Sequence, residues 1–201
     1  MMRKIERENS GLLRPGQDLV VAGYAGAAGS AVLVRNQNQR LRDWFSEEWL
    51  YQAGEMPAEW SEIDWAAAGA ADWEMAGEGG ILAAIWRLSG AYETGMEFFL
   101  RKIPVRQDTI EICERLELNP YRLYSRGCWL LAAENGGRTV ENLREKGIPA
   151  QVIGSVKKGI AREMIVENGR GFLERPQPDE LEKILPGYFD HGSGAETQTQ
   201  Q

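Results

Sequence analysis

Two glycine-rich stretches carry the residues whose types and spacing suit the binding of an anion. Each stretch leads into an apolar run that is predicted to start a helix. Glycines at a helix start leave backbone N–H groups bare, and the helix dipole favours a negative charge at that end. The candidate phosphate- or nucleotide-binding residues are Gly26, Gly29 and Ser30 in the first stretch and Glu78, Gly79 and Gly80 in the second.

Neither stretch contains a motif that fixes its ligand. The spacing of Gly23, Gly26 and Gly29 is not the dinucleotide fingerprint, and the lysine and serine or threonine of a P-loop are missing. The same glycines suit a tight turn in which a strand and a helix approach closely. For Glu78, magnesium binding stands beside a solvated carboxylate that the helix dipole favours. Arg126, in a polar segment before a predicted strand, is a further candidate anion contact.

The sequence has few residues that could form a zinc site, a Ser-His-Asp triad or a disulfide framework. The chain has two cysteines and one histidine, His191, which argues against a Cys/His zinc site and against a Ser-His-Asp triad. Cys113 and Cys128 are too few for a disulfide framework, and this favours a reducing cytosol. We therefore assign no catalytic residue and no metal ligand.

Charge and hydropathy limit the partners. The chain has 23 Lys and Arg against 30 Asp and Glu, a net charge of −7, so a nucleic acid is not an expected partner. No apolar run approaches the roughly 18 residues that a membrane helix needs. The first ten residues are charged and do not resemble a signal peptide. We expect a cytoplasmic protein without a membrane partner.

The elements that must position the candidate residues form an interleaved series of strands and helices. Strands are predicted at residues 18–23, 95–100, 128–133, 150–156 and 162–166, the last as a hairpin partner or near neighbour of the fourth. Helices are predicted after Gly80, over much of 37–71 with a break at Pro57, and over 108–116, 139–146 and 178–185. Residues 73–79 read as irregular. This pattern predicts an α+β layered sandwich with helices packed on a mixed sheet.

Three regions of different composition divide the chain. Residues 1–10 are a charged lead-in, residues 11–188 are predicted to form one domain, and residues 189–201 form a polar tail that we expect to be disordered.

Several stretches, taken in order, resemble the C-terminal domain of the AIR synthase (PurM)-related superfamily, most closely its HypE-like hydrogenase maturation members. Residues 13–30 resemble the opening of that domain, and Glu78-Gly-Gly-Ile81 matches the end of the family motif His-Asp-Val/Ile-Thr-Glu-Gly-Gly. Residues 103–113, 118–123, 147–154 and 178–181 complete the series. The resemblance covers about residues 11–186, and the order and spacing of the motifs identify the family.

The resemblance implies an AIR synthase C-terminal domain fold. Complete members pair this domain with an N-terminal domain that supplies the dimer core and much of the ATP site. The chain begins where the second domain begins, so the ATP-binding half is expected to be missing. The histidine, aspartate and threonine of the motif fall at Glu74, Met75 and Gly77, and a methionine cannot bind magnesium as a carboxylate does.

Two functions are consistent with these observations. The first is a stand-alone, non-catalytic binding or assembly module, either homo-oligomeric or paired with a separate protein that resembles the N-terminal domain. Trp44, Trp49, Trp60 and Trp73 offer an aromatic association surface, with core placement as the alternative for most of them. The second is half of a split ATP-dependent enzyme of the AIR synthase or HypE type, which would bind a phosphorylated or nucleotide ligand with ATP and Mg²⁺ as cofactors.

Overall fold

In the part of the chain that the structure describes, seven strands form one mixed sheet in the order β2-β4-β1-β5-β3-β6-β7. The computed structural model describes residues 13–190, so the lead-in 1–10 and residues 191–201 of the tail lie outside the described residues. The strands are β1 (Asp18–Ala22), β2 (Ala70–Gly77), β3 (Gly95–Phe99), β4 (Ser125–Ala133), β5 (Ala150–Lys157), β6 (Arg162–Val166) and β7 (Gly169–Phe172). Only the pairing of β3 with β6 is parallel, and the other five pairings are antiparallel.

Five α-helices occur in these same residues and pack on the sheet or on one another. They are α1 (Ala27–Leu41), α2 (Glu47–Ala53), α3 (Gly80–Ala91), α4 (Gln107–Leu116) and α5 (Gly136–Glu145). Short 3-10 turns follow at Leu100–Lys102 and Glu180–Lys183. Among residues 13–190, no helix is both long and apolar enough to cross a membrane.

Successive side chains of the central strands point to opposite faces of the sheet and join different apolar clusters. Leu19 and Val21 join the apolar cluster beneath α3, whereas Val20 joins the cluster beneath α5. A third cluster is built mainly from α1, α2 and α4, with Leu181 from the C-terminal turn inserted fully buried. Helices on a mixed sheet in layers confirm the predicted α+β class, and most of the predicted strands and helices are present.

The helix predicted over residues 58–71 is wrong. Residues 55–69 form turns without helix or strand, and Trp60 has a φ of 55° that no helical residue adopts. Trp65 is nevertheless 4% exposed and packs on Trp129, at a centroid distance of 5.1 Å. Of the residues with helical spacing, Trp60 and Ile63 are half-buried and Ala67 is exposed, so the spacing did not mark one buried helical face.

Two further expectations need correction. Residues 73–77 are not irregular, because β2 runs to Gly77 and pairs with β4, with a register shift between Met75 and Gly77, whereas residues 78–79 form a turn. Strand β6 is a near neighbour of β5 but not its hairpin partner, because β3 lies between them and pairs with β6 in parallel. The hairpin partner of β6 is β7, across the turn at Glu167-Asn168.

Candidate functional site

The two glycine turns meet at one piece of backbone, the connection between α4 and β4 at residues 119–124. A Cβ atom at Gly26 would lie 2.7 Å from the Pro120 carbonyl oxygen, and one at Gly80 would lie 2.5 Å from that of Tyr121. A Cβ atom at Gly29 would lie within 3 Å of Leu123. Glycine is required at these positions because the connection packs directly against both helix starts.

At the start of α1, the polar groups are bonded within the fold. The Gly26 N–H donates to Ser125 Oγ at 2.7 Å, and the Gly29 N–H donates to the Tyr124 carbonyl at 2.8 Å. Ser30 is 2% exposed, and its hydroxyl bonds Thr109 Oγ1 of α4 at 2.9 Å. These groups hold α1 against β4 and α4.

At the start of α3, a carboxylate of the chain itself lies on the N–H group of the turn. Asp179 Oδ2 accepts from the Gly79 N–H at 2.6 Å, and Oδ1 accepts from Leu181 at 2.9 Å and Tyr124 at 3.1 Å. Asp179 is 2% exposed, and burial raises the pKa of its carboxyl to about 6, with the charge of Glu78 acting in the same direction. The helix start therefore has a carboxylate of the chain itself on the Gly79 N–H group.

The carbonyl side of the same turn is occupied by a cation. The Arg87 guanidinium donates to Glu74 Oε1 at 2.6 Å and to the Ala76 carbonyl at 2.7 Å. It also reaches the carbonyl oxygens of Met75 at 3.1 Å and Glu78 at 3.3 Å. One arginine therefore neutralises the carboxylate at the motif's histidine position and satisfies three backbone acceptors.

Glu78 and Arg126 each follow one of two paired residues, Gly77 of β2 and Ser125 of β4. Glu78 is exposed beside the turn, and no cluster of three His, Cys, Asp or Glu side chains suited to a metal occurs in residues 13–190. Arg126 pairs with Glu59 at 2.8 Å, and the hydrogen bond to Glu59 raises the pKa of the guanidinium. Ligand binding at the seven candidate residues stays a prediction.

Two adjoining cavities lie beside the first glycine turn and were not found from the sequence. One has a volume of about 310 Å³ and the other about 470 Å³, and both are lined by Tyr24 and Arg106. Trp60 lines the first and Trp49 the second. Tyr24 is 37% exposed, while the Arg106 guanidinium pairs with Asp108. An aromatic face beside a guanidinium suits a flat or acidic group.

Sequence comparison identifies one family model. It is described as AIR synthase related protein, C-terminal domain, and it matches residues 14–167. No curated protein is significantly similar in sequence.

Solved structures with the same fold include HypE and thiamine monophosphate kinase. A HypE in complex with ATP aligns with a TM-score of 0.64 at 18% identity, over 84% of this chain and 53% of that chain. E. coli HypE aligns with a TM-score of 0.66 at 20% identity, over 88% and 55%. Thiamine monophosphate kinase from Aquifex aeolicus aligns with a TM-score of 0.54 at 17% identity, over 79% and 52%. The chain thus spans about half the length of each of these proteins.

Proposed function

Because the chain belongs to the family of AIR synthase related proteins, as its C-terminal domain, we propose that it is a non-catalytic binding or assembly module. Its partner would be a protein that resembles the family's N-terminal domain, or a second copy of the chain. In either case the domain contributes a shaped surface to an assembly.

The observation that carries this proposal is that side chains of the domain itself already pair with the polar groups of the α3 turn. Asp179 takes the amide side, and Arg87 takes the carbonyl side. A phosphate would have to displace a carboxylate that accepts three N–H groups, and it would meet like charge there. A magnesium ion would have to compete with a guanidinium for the carbonyl oxygens. The residues present therefore do not fit a magnesium–phosphate group at this turn.

The motif positions agree with this interpretation. Met75, at the position of the family's aspartate, is 39% exposed and offers a thioether, which is a poor ligand for a hard cation. Glu74 does supply a carboxylate, but Arg87 already neutralises it. We infer that the shape of the turn has been retained while its ligand chemistry has been lost.

The surface that we propose for a partner lies around the two cavities. Tyr24, Trp49 and Trp60 line them, and Trp44 is 42% exposed on the turn before α2. Large aromatic side chains with exposed faces are typical of binding hot spots, particularly beside an arginine. One related structure is a HypE–HypF complex, so a relative of this fold does assemble with another protein.

Co-purification tests the assembly. A recombinant N-terminal-domain-like protein from the same genome would be mixed with the chain, and its affinity measured by calorimetry. We expect Tyr24→Ala to weaken binding about tenfold or more, as for a buried interface aromatic. Tyr51→Ala is the matched control, because Tyr51 is 78% exposed and lines a different cavity.

Two results would refute the proposal that the chain is a non-catalytic binding or assembly module. One is robust ATP hydrolysis by the isolated chain. The other is a strict monomer by light scattering at high concentration that also fails to bind the N-terminal-domain-like protein.

A split ATP-dependent enzyme is the second candidate, with ATP and Mg²⁺ as cofactors. One HypE was solved with ATP and a thiamine monophosphate kinase with AMPPCP, and the cavities beside Tyr24 and Arg106 have the aromatic and cationic groups that a nucleotide needs. Calorimetry with ATP and Mg²⁺, with and without the partner protein, tests it. Absence of heat at millimolar nucleotide in both cases rejects this candidate.

A further inference from the structure

Arg162 is a buried arginine that has no acidic partner among residues 13–190. It is the first residue of β6, next to Met96 of β3, and only 9% of the residue is exposed. Its guanidinium lies over the ring of Trp86 on α3, with Cζ 3.9 Å from the ring centroid. The contact fixes one face of the guanidinium against an aromatic plane.

The nitrogen atoms of this guanidinium have no acceptor in the described residues. Nε is enclosed and makes no hydrogen bond, and no carboxylate of residues 13–190 lies within ion-pair distance. Burial lowers the pKa of Arg162. Buried arginines are almost always paired, because a desolvated charge and an unmet donor both raise the free energy of the fold. The Trp86 ring attracts the cation but offers no lone pair.

We propose that Arg162 and Trp86 form a receptor for an oxyanion supplied from outside this domain. The ring covers the face of the guanidinium, so the hydrogen bonds must be made at its edge. The two terminal nitrogens are not enclosed as Nε is, and together they form the planar fork that a carboxylate or phosphate accepts in bidentate fashion. The ligand class is therefore a carboxylate or phosphate group, free or carried by a partner.

Its position separates this receptor from the glycine turns. Trp86 points from α3 towards the β3–β6 end of the sheet, whereas Gly79 and Asp179 meet at the N-terminus of the same helix. The proposal does not depend on the proposed function, since an oxyanion could bind here whether or not the domain joins an N-terminal partner.

Nuclear magnetic resonance of the arginine Nε–H groups tests the proposal directly. Sodium acetate and sodium phosphate would each be titrated against sodium chloride at matched ionic strength. We expect the Arg162 Nε–H signal, which the Trp86 ring current sets apart, to shift saturably with at least one oxyanion but not with chloride. Comparison of the acetate and phosphate arms then identifies which group is preferred.

Variants make the assignment specific. We expect Arg162→Lys to weaken oxyanion binding about tenfold or more, followed at the Trp86 indole N–H signal, because an ammonium lacks the planar fork. Trp86→Leu keeps the guanidinium but removes the ring that orients it, so we expect this variant to weaken oxyanion binding as well. It tests the proposal even if the Arg162 variant does not fold. Arg170→Lys is the control, since Arg170 already pairs with Glu163 at 2.9 Å. Equal responses to chloride and oxyanions, or binding unchanged in both test variants, would overturn the proposal.

Discussion

Two arginines on the flanks of helix α3 have opposite environments. Arg87 donates to the Glu74 carboxylate and to three backbone carbonyl groups, and it closes the β2–α3 turn. Arg162 lies more deeply buried, and its guanidinium stacks on the ring of Trp86, the residue that precedes Arg87 in the chain. The first guanidinium has its acceptors within the domain, and the second has donors left over. Arg87 therefore stabilises the fold, whereas the unmet donors of Arg162 support the proposal that it binds an oxyanion.

The largest effect is expected from removing the buried carboxylate of Asp179, which accepts N–H groups at the start of the same helix. Asp179→Ala leaves three buried N–H groups without an acceptor, so we expect a loss of about 4 kcal/mol in the free energy of unfolding. Urea unfolding followed by circular dichroism at pH 7 measures it. Asp43→Ala, at an exposed turn position, should change stability by less than about 0.5 kcal/mol. Equal stabilities for the two variants would show that Asp179 is not structural.

Gly80→Ala tests the close packing at the same turn. The new Cβ would lie 2.5 Å from the Tyr121 carbonyl oxygen at a φ of 67°, so we expect a loss of about 3 kcal/mol. Gly77→Ala is the matched control, because its φ of 56° is also positive but nothing lies within 4 Å of the added Cβ. That variant should lose only about 1 kcal/mol, the cost of the left-handed backbone. Thermal and urea unfolding of the pair separate the overlap from the strain.

Arg87→Lys weakens the partnered arginine without deleting its charge. An ammonium can reach Glu74 but cannot also bond three carbonyl oxygens, so we expect a loss of about 1.5 kcal/mol in the free energy of unfolding. Arg14→Lys provides the comparison, because the Arg14–Glu134 pair is more than half exposed and screened by solvent, so this variant should lose clearly less. Urea unfolding of both variants that gives equal losses would contradict a special role for Arg87.

The pKa of Asp179 predicts a specific dependence on pH. Its folded-state pKa of about 6 lies above the ordinary value, so the folded chain binds a proton that the unfolded chain has released between about pH 4 and 6. This group therefore makes the protein less stable as pH rises through that window. From pH 5 to pH 7 its contribution should fall by about 1 kcal/mol. Urea unfolding at both pH values should show this component in the wild type and not in Asp179→Asn.

The smallest effect is expected at the unpartnered arginine. Arg162→Met loses a cation–aromatic contact but also removes a buried charge without a counterion, so stability should change by less than about 1 kcal/mol in either direction. Calorimetric unfolding in chloride buffer measures it. A loss as large as that of Asp179→Ala would mean that Arg162 serves the fold, and the contrast between the two arginines would fail.

The sequence predicted the turn but not the groups that occupy it. Local spacing identified Gly79, Gly80 and the helix that follows, because glycines and an apolar stripe are neighbours in the chain. Asp179 is 100 residues from Gly79, and its motif predicted only a short helix. Arg162 carried no signal, since its lack of a partner is a property of three-dimensional packing. Local sequence patterns predict contacts between residues that are close in the chain. They do not predict a charged side chain that comes from a distant part of the chain.

The tryptophans show a second limit of the sequence. Trp60, Ile63 and Ala67 have spacing that suits a helix, yet they lie in a segment without helix, and Ala67 is exposed. Strand β2, with Trp73 and Glu74, lacks the continuous apolar run of a buried strand because it lies at the edge of the sheet. Edge position and irregular backbone are set by neighbouring elements, so a window of local sequence does not contain them.

The bond between Gly79 and Asp179 also sets an order of events during synthesis. Strand β2 and helix α3 leave the ribosome long before residue 179 does, because 100 residues separate the two ends of the bond. Until then the helix start has no internal carboxylate, and the connection at Tyr124 that shares Asp179 is not held either. The turn that was expected to receive a ligand can therefore be completed only late in translation, when the C-terminal residues add its anion.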